Sequence, residues 1–176
     1  MASKEKTARK NILRESAECS GETVKGYDFN RGKDYGKIID SFMNTGFQAT
    51  NLAKAISIVK EMREKKAFIY LGYTSNLVSS GLRDIFRYLA EHKLVDVIVT
   101  TAGGIEEDII KCLGDFKIGS FEASGKGLRD KGINRIGNIF VPNSRYCKFE
   151  NFLIPVLEKY KKEILTPSRL ISILGM

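Results

Sequence analysis

The sequence predicts an α/β protein with an open, mostly parallel sheet and flanking helices. Two apolar runs of strand length, Ala67 to Gly72 and Leu94 to Val99, lie on either side of a segment whose apolar residues have helical spacing. Continuous apolar runs are typical of strands buried on both faces, and a helix between two such strands is typical of a parallel βαβ unit. We therefore expect ligands to bind at the carboxyl ends of these strands.

Apolar periodicity also predicts the helices around the two strands. The first helix opens at Thr50 or Asn51, and its buried stripe comprises Leu52, Ile56, Val59 and Met62. The crossover helix ends near His92 and buries Leu82, Ile85, Phe86 and Leu89. The single histidine therefore lies in the last turn of a helix, which favours a structural role over a catalytic one.

The second half of the chain continues the alternation. A short helix over Ile105 to Leu113 follows the second strand, and Arg135 to Val141 is a third strand candidate. Phe149 to Ile164 has helical spacing that Pro155 should kink or split, and Thr166 with Pro167 opens a last helix reaching Leu174. Because the chain stops one short helix after three strands, we expect an incomplete doubly wound sheet.

The first 24 residues differ in composition from the rest. They are polar and charged, with one short helix expected around Ile12 to Glu18, and they include basic residues from Lys4 to Arg14. We expect residues 1–24 to form a basic N-terminal arm and residues 25–176 to form one α/β domain. The stretch from Gly26 to Gly32 at the start of that domain should be a compact turn.

Composition narrows the class of protein. The chain has 176 residues, 43% of them hydrophobic, and no apolar run long enough for a transmembrane span. Its net charge of +8 favours anionic ligands. Basic residues do not alternate with aromatic ones, so RNA binding is the weakest hypothesis. Three widely spaced cysteines and one histidine argue against a metal site and indicate reduced thiols in a cytoplasmic protein.

The turn after the first strand is the first candidate site. Small hydroxyl residues between Gly72 and Gly81, Ser75 and Ser79 among them, meet the start of a helix. Backbone N–H groups at a helix start bind phosphate. Capping of the helix by the same hydroxyl groups explains the pattern equally well, and both interpretations stay open.

The turn after the second strand is the second candidate. Gly103 and Gly104 allow a ligand to approach the backbone, and three carboxylates follow, on Glu106, Glu107 and Asp108. The carboxylates could complement the helix dipole, with Glu107 pairing Lys111, and this interpretation is favoured by spacing alone. In a cleft they would instead bind a cation such as a polyamine.

A third glycine-rich stretch, Gly119 to Gly127, has the wrong spacing for a P-loop. Five residues separate its key glycines, and Gly127 stands where the magnesium-binding hydroxyl residue is required. We expect a surface loop.

Several motifs in the same order resemble the deoxyhypusine synthase family. They are GYDFNRG from Gly26, TGFQATN from Thr45, LGYTSNLVSSG from Leu71, VIVTTAGGIEE from Val97 and GINRIGNIFVP from Gly132. The resemblance runs from about Val24 to Gly175. It implies a Rossmann-like, NAD-binding fold and NAD-dependent transfer of the aminobutyl group of spermidine to a lysine of translation initiation factor 5A.

The resemblance also assigns roles to residues. It implies NAD contacts from two turns and from Glu107, and spermidine contacts from Glu106 and Glu107. The turn residues are Ser75, Asn76, Leu77, Val78, Ser79, Thr101, Ala102 and Gly103. The family forms tetramers with sites at subunit interfaces, and its nucleophilic lysine lies in a part beyond Met176. No catalytic residue is therefore expected here, and the chain alone should be inactive. The alternative is a non-catalytic partner or regulatory subunit of a full-length synthase.

Overall fold

The computed structural model describes residues 2–12 and 18–176, and the chain divides into two compact units, residues 1–67 and 68–176. The boundary predicted after residue 24 stays a prediction. The elements of the first unit are helix α1 (Ala2–Ile12), a single 3-10 turn (Phe29–Arg31), and helices α2 (Tyr35–Asp40), α3 (Phe42–Thr45) and α4 (Phe47–Glu64). Helix α1 precedes the helix that the sequence predicts around Ile12 to Glu18. Residues 13–17 of that prediction lie outside the described part of the chain.

The compact turn predicted between Gly26 and Gly32 is confirmed. The Asp28 side chain accepts the N–H of Asn30 at 3.1 Å and so caps the 3-10 turn. Helix α4 begins at Phe47 rather than at Thr50. The Thr50 hydroxyl lies inside the helix, where it accepts the Gly46 N–H at 3.0 Å and donates to the Met43 carbonyl at 3.2 Å. Thr50 therefore ties the first turn of the helix to the preceding segment instead of capping it.

The second unit opens with the predicted βαβ unit. Its elements are strand β1 (Tyr70–Tyr73), helices α5 (Asn76–Ser79) and α6 (Leu82–Glu91), strand β2 (Val97–Thr100) and helix α7 (Ala102–Leu113). The strands pair in parallel from Tyr70 opposite Val97 to Tyr73 opposite Thr100. His92 follows the last residue of α6, and its ring lies 4.3 Å from that of Tyr88. The parallel pair, the crossover helix and the position of His92 are therefore confirmed.

The two faces of this parallel pair differ in burial. On one face Tyr73 stacks on Phe86 of α6, with the ring centroids 3.9 Å apart. On the other face Tyr70 is 69% exposed and Val99 57% exposed. The prediction that both strands are buried on both faces is therefore wrong for the described residues, because a continuous apolar run does not specify what covers it.

The third predicted strand is replaced by a hairpin. Strands β3 (Lys117–Ile118), β4 (Ile133–Ile136) and β5 (Ile139–Pro142) form an antiparallel sheet in the order β3-β5-β4, with helix α8 (Gly125–Asp130) between β3 and β4. Ile136 pairs with Ile139, which leaves a two-residue turn in which Gly137 has a φ of +59°. The prediction of a single strand over Arg135 to Val141 is wrong because this turn divides it.

Two helices end the unit, α9 (Asn143–Tyr160) and α10 (Pro167–Leu174). Helix α9 starts six residues before the predicted position and contains Pro155 without being split. The Thr166 hydroxyl accepts the Arg169 N–H at 3.3 Å, so the predicted cap of α10 is confirmed. The buried hydrophobic side chains of this unit are Val78, Ile110, Val141 and Ile173.

The structure also locates the glycine-rich stretch from Gly119 to Gly127 and the three cysteines. Residues 119–124 form the predicted loop, but Gly125 to Gly127 begin α8, where the Ser124 hydroxyl accepts the Gly127 N–H at 3.3 Å. Cys19, Cys112 and Cys147 are free and exposed thiols. Within residues 2–12 and 18–176, no helix has the length and apolar character that crossing a membrane requires.

A candidate ligand site at the ends of the parallel strands

The two predicted turns lie side by side. Because Tyr73 and Thr100 are register partners, β1 and β2 end at the same level, and α5 and α7 begin next to each other. A Cβ added to Gly103 would lie 3.1 Å from Cβ of Ser75, and one added to Gly104 would lie 2.6 Å from Oγ1 of Thr100. The small residues of the second turn are thus required for the close approach of α7 to both strand ends.

The hydroxyl groups of the two turns differ in whether they cap a helix. Ser75 and Thr101 occupy the positions before α5 and α7, but neither side chain makes a capping hydrogen bond. The N–H groups of Ala102 and Gly103 precede the first intrahelical bonds of α7 and carry the positive end of its dipole. In the first turn the Ser80 hydroxyl does cap, because it accepts the Leu82 N–H at 3.2 Å at the start of α6. Capping and ligand binding therefore both stay open for that turn, and the start of α7, which lacks a side-chain cap, can accept an anionic oxygen.

Glu107 forms the second half of the site. Helix α7 begins at Ala102, so Glu106 and Glu107 lie in its second turn rather than in its first. The Glu107 carboxylate accepts a hydrogen bond from the hydroxyl of Ser79. The predicted pairing with Lys111 and the role in complementing the dipole are therefore not the arrangement found.

The environment of Glu107 disfavours its negative charge. Burial raises the pKa of Glu107 above its ordinary value, the Ser79 hydrogen bond opposes that rise, and the charge of Glu106 adds to it. Such a carboxylate gains most from a cationic ligand, because the ligand replaces the lost solvation.

Tyr146 of α9 is a residue of this site that sequence reasoning missed. Burial raises the pKa of its phenol, and the negative charges of Glu107 and Glu106 raise it further. The phenol therefore stays protonated beside the two carboxylates at neutral pH. No sequence signal marks it, because Tyr146 lies in a helix distant in sequence from both turns.

The other predicted residues differ in exposure. Asn76, Thr101 and Ala102 are exposed, whereas Ser75, Leu77, Gly103 and Glu106 are partly buried. Val78 and Ser79 are buried, with 2% and 3% of their surface exposed. Val78 therefore packs in the core of the unit, and the Ser79 hydroxyl acts on Glu107 rather than at the surface.

A second polar cluster joins α6 to α7 and contains Arg83, Asp108 and Cys112. Arg83 of α6 donates to the Asp108 carboxylate at 2.5 Å and to the sulfur of Cys112 at 3.0 Å. Asp108 thus serves to join α6 to α7. The cavity of about 420 Å³ beside this ion pair is lined by Tyr73, Phe86 and Ile98. Of the residues of the two turns it includes Val78, Gly104 and Asp108, but not Ser75, Thr101, Gly103 or Glu107. The candidate site is therefore the open edge formed by Ser75, by Thr101 to Gly103 and by Glu107, rather than this cavity.

The edge has the donor set that a dinucleotide requires. N–H groups at the uncapped start of α7 suit a pyrophosphate, and a neighbouring carboxylate can accept the hydroxyl groups of a ribose. Ser75, Thr101, Ala102 and Gly103 would hold the phosphates, and Glu107 would lie next to them. The residues present therefore fit NAD.

Comparison with known proteins gives a consistent result. The family model for deoxyhypusine synthase matches residues 37–176. A Senecio vernalis deoxyhypusine synthase is 49% identical over 92% of this chain and 52% of its own length. A Drosophila melanogaster protein named "Probable deoxyhypusine synthase" is 46% identical over 99% of this chain and 56% of its own. A Senecio vernalis protein named homospermidine synthase 2 is 44% identical, with 96% and 54% covered.

A solved structure agrees with the sequence relatives. The crystal structure described as "a putative deoxyhypusine synthase from Entamoeba histolytica" superimposes with a TM-score of 0.61 at 35% identity, covering 86% of this chain and 55% of that one. The chain spans about half the length of the curated relatives it matches. With a family model that matches most of its residues and relatives at nearly half identity, the chain belongs to the deoxyhypusine synthase family.

Proposed function

We propose that this chain supplies the NAD and spermidine contacts of a deoxyhypusine synthase, which transfers the aminobutyl group of spermidine to a lysine of the translation initiation factor 5A precursor. The observation that carries the proposal is the position of the Glu107 carboxylate, bonded to Ser79 and adjacent to the uncapped start of α7. An anion-binding helix start and a poorly solvated carboxylate in one edge suit a dinucleotide and a polycation together.

Each group of the edge has a separate task. The N–H groups of Ala102 and Gly103 hold phosphate oxygens, and Ser75 and Asn76 line the same turn. NAD, when bound, supplies oxidation and reduction of the substrate carbon. Glu106 and Glu107 hold the ammonium groups of spermidine, and Ser79 keeps the Glu107 carboxylate oriented towards them. Tyr146 remains protonated and can donate a hydrogen bond within the site.

Transfer requires groups beyond this edge. Nothing in the described cluster combines a free amine with the carboxylates, because the nearest lysine, Lys111, donates to backbone carbonyls. We therefore propose that turnover depends on residues equivalent to the remainder of the relatives' chains, contributed within an oligomer of synthase chains in the cytoplasm. In that assembly the present chain binds the substrates. Outside the assembly we expect the chain to have no turnover.

The proposal is tested by titrating the purified chain with NAD and then with spermidine in a calorimeter. Binding of NAD, and of spermidine to the NAD-saturated chain, is expected. Glu107→Ala should abolish spermidine binding. Glu122→Ala is the matched control, because Glu122 also accepts a serine hydroxyl, from Ser120, but lies exposed in the loop before α8. Equal loss in both variants, or no binding by the unaltered chain, would contradict the proposal.

A second candidate function is homospermidine synthesis. It rests on the 44% identity to a homospermidine synthase, which is close to the values for the deoxyhypusine synthases. The contacts to NAD and spermidine would be the same, and the two functions differ only in the amine that accepts the aminobutyl group. Reconstituted with a full-length synthase chain, labelled spermidine should label the factor 5A precursor in the first case and a free diamine in the second.

The regulatory alternative predicts a different result in the same assay. A non-catalytic partner would change the turnover of a full-length synthase even when Glu107 is replaced by Ala, since its own site would be unused. Loss of the effect with Glu107→Ala supports a working site in this chain.

A further inference from the structure

Lys111 makes an unusual set of contacts for a lysine in the middle of a helix. Its ammonium group donates to three backbone carbonyls, those of Val78 at 3.0 Å, Ser79 at 3.1 Å and Ser80 at 2.8 Å. An ammonium group has three N–H donors, so each donor has one acceptor. The side chain is partly buried, and its nitrogen lies 5.7 Å from the ring centroid of Phe116.

Two of these carbonyls, those of Val78 and Ser79, belong to α5, which cannot satisfy them by itself, and the third follows α5 and also accepts the Arg83 N–H at 3.4 Å. The last carbonyls of any helix lack intrahelical donors, and α5 has only four residues. The carbonyl of Leu77 is taken by the Ser80 hydroxyl at 2.7 Å, and Lys111 takes the following three. The end of α5 is therefore completed by a side chain from α7.

The same two helices are joined one turn earlier by the Ser79–Glu107 bond. Glu107 and Lys111 are four residues apart and project from the same side of α7. Glu107 receives the side chain of Ser79, and Lys111 holds the carbonyl of the same residue. The position of the Ser79 hydroxyl, and with it the orientation of the carboxylate, depends on both contacts.

We propose that Lys111 is a positioning residue that fixes α5 against α7 and thereby holds Ser79 on the Glu107 carboxylate. The inference rests on the proposed function for its consequence, because a fixed carboxylate matters for a bound polyamine. Lys111 does not act as a nucleophile, since all three of its N–H donors are engaged and a free electron pair would require breaking these bonds.

The test compares Lys111→Met, Lys111→Arg and the control Lys126→Met, which removes an exposed lysine at the start of α8. Amide hydrogen exchange is measured at Leu77 and Val78, whose N–H groups donate to the backbone carbonyls of Thr74 and Ser75 respectively. We expect exchange at least about tenfold faster in Lys111→Met, at most about threefold faster in Lys111→Arg, and unchanged in Lys126→Met. Circular dichroism of each variant verifies that the second unit stays folded.

A second readout reports on the carboxylate itself. The Glu107 carboxyl carbon is titrated by NMR in the same variants. Its neighbours are Ser79 on α5, Glu106 and Lys111 on α7, and Tyr146 on α9. Lys111→Met should raise the Glu107 pKa, because both a positive charge and the anchored Ser79 donor are lost, and Lys111→Arg should restore part of the change.

These measurements need no ligand, so they are separate from the test of function. Unchanged exchange in α5 and an unchanged Glu107 titration in Lys111→Met would overturn the positioning role, whether or not the chain binds NAD. Faster exchange with a shifted titration supports the role. In an NAD-binding chain we further expect about tenfold weaker spermidine binding in Lys111→Met, whereas absence of NAD binding by the unaltered chain contradicts the proposed function only.

Discussion

The hydroxyl of Ser79, in a residue only 3% exposed, donates its hydrogen bond across the gap between two helices to the carboxylate of Glu107. A buried hydroxyl with a charged partner fixes the partner's rotamer as well as its own. Ser79 thus fixes the orientation of the Glu107 carboxylate before any ligand binds. This relationship makes Glu107 the position at which stability and binding can be separated experimentally.

Glu107→Gln should increase the stability of the chain at neutral pH. The Glu107 pKa in the folded protein lies above its ordinary value of 4.5, so the folded state binds this proton more tightly than the unfolded state does. The contribution to stability therefore falls as pH rises from below 4.5 through the raised pKa, and it stays lower at neutral pH. Gln does not ionise and can still accept the Ser79 hydrogen bond.

The gain should be under about 1 kcal/mol, because the carboxylate is partly solvated. Urea unfolding of both proteins at pH 4 and pH 7 measures it. The advantage of Glu107→Gln should be present at pH 7 and absent at pH 4. An advantage that is larger at pH 4 would show that Glu107 is better solvated in the folded protein than its burial indicates.

Spermidine affinity should rise with pH across the titration of Glu107. A polyamine binds the ionised carboxylate, and the proton must leave first, so binding below the raised pKa releases protons to the buffer. Calorimetry of the NAD-saturated chain from pH 5 to pH 8 in two buffers of different ionisation enthalpy measures both effects. Glu106, Lys111 and Tyr146 also face this carboxylate, and Glu122→Gln serves as the control. Affinity that is constant over this range would exclude Glu107 from the polyamine contact.

Gly104→Ala should destabilise the second unit by about 1–3 kcal/mol, the usual cost of overpacking. The added Cβ would lie 2.6 Å from Oγ1 and 2.9 Å from Cγ2 of Thr100, so α7 would have to move away from the end of β2. Gly125→Ala is the matched variant, since no atom lies within 4 Å of its added Cβ. Urea midpoints of the two variants should differ clearly, and equal midpoints would mean that α7 shifts without cost.

Thr166→Ala should destabilise α10 by about 1 kcal/mol through loss of its N-cap. The Thr166 hydroxyl accepts the Arg169 N–H, and the helix that it starts carries the buried side chain of Ile173. Ser172→Ala, at an exposed position in the same helix, should change stability by less than about 0.5 kcal/mol. Hydrogen exchange in α10 provides the measurement, and equal effects of the two changes would contradict a capping role.

Local signals in the sequence predicted much of the second unit. The crossover helix ending at His92 and the cap at Thr166 depend on residues close together in the chain, and both are confirmed. The parallel pair is also confirmed, because two apolar runs joined by a helix have few other ways to pair. Helix starts are predicted less accurately, as for α4, because Thr50 lies within the first turn and bonds back to Gly46 and Met43 instead of preceding the helix. The antiparallel hairpin is not predicted, because the apolar residues on both sides of Gly137 together have the length and character of a single strand.

The sequence predicts the two turns of the candidate site but not the side chains that distant parts of the chain bring to it. The glycines and carboxylates after β2 stand together in the sequence. Lys111 and Tyr146 belong to the same cluster, but their partners are 31 to 33 residues away for Lys111, and a neighbouring helix carries Tyr146. Periodicity places such residues on a helix face without specifying which side chains meet there. The roles assigned to Ser75 through Ser79 and to Thr101 through Gly103 stay predictions.

The register of the parallel strands also has a kinetic consequence. Tyr70 pairs with Val97, a separation of 27 residues in sequence, so the loop between them must close before this pairing contributes energy. Helix α6 needs only local contacts and can form earlier. The ligand edge exists only after the strands have paired, since one turn follows each strand. A ligand that binds this edge therefore stabilises contacts that form only after strand pairing, and its concentration should act on the unfolding rate rather than on the rate of collapse.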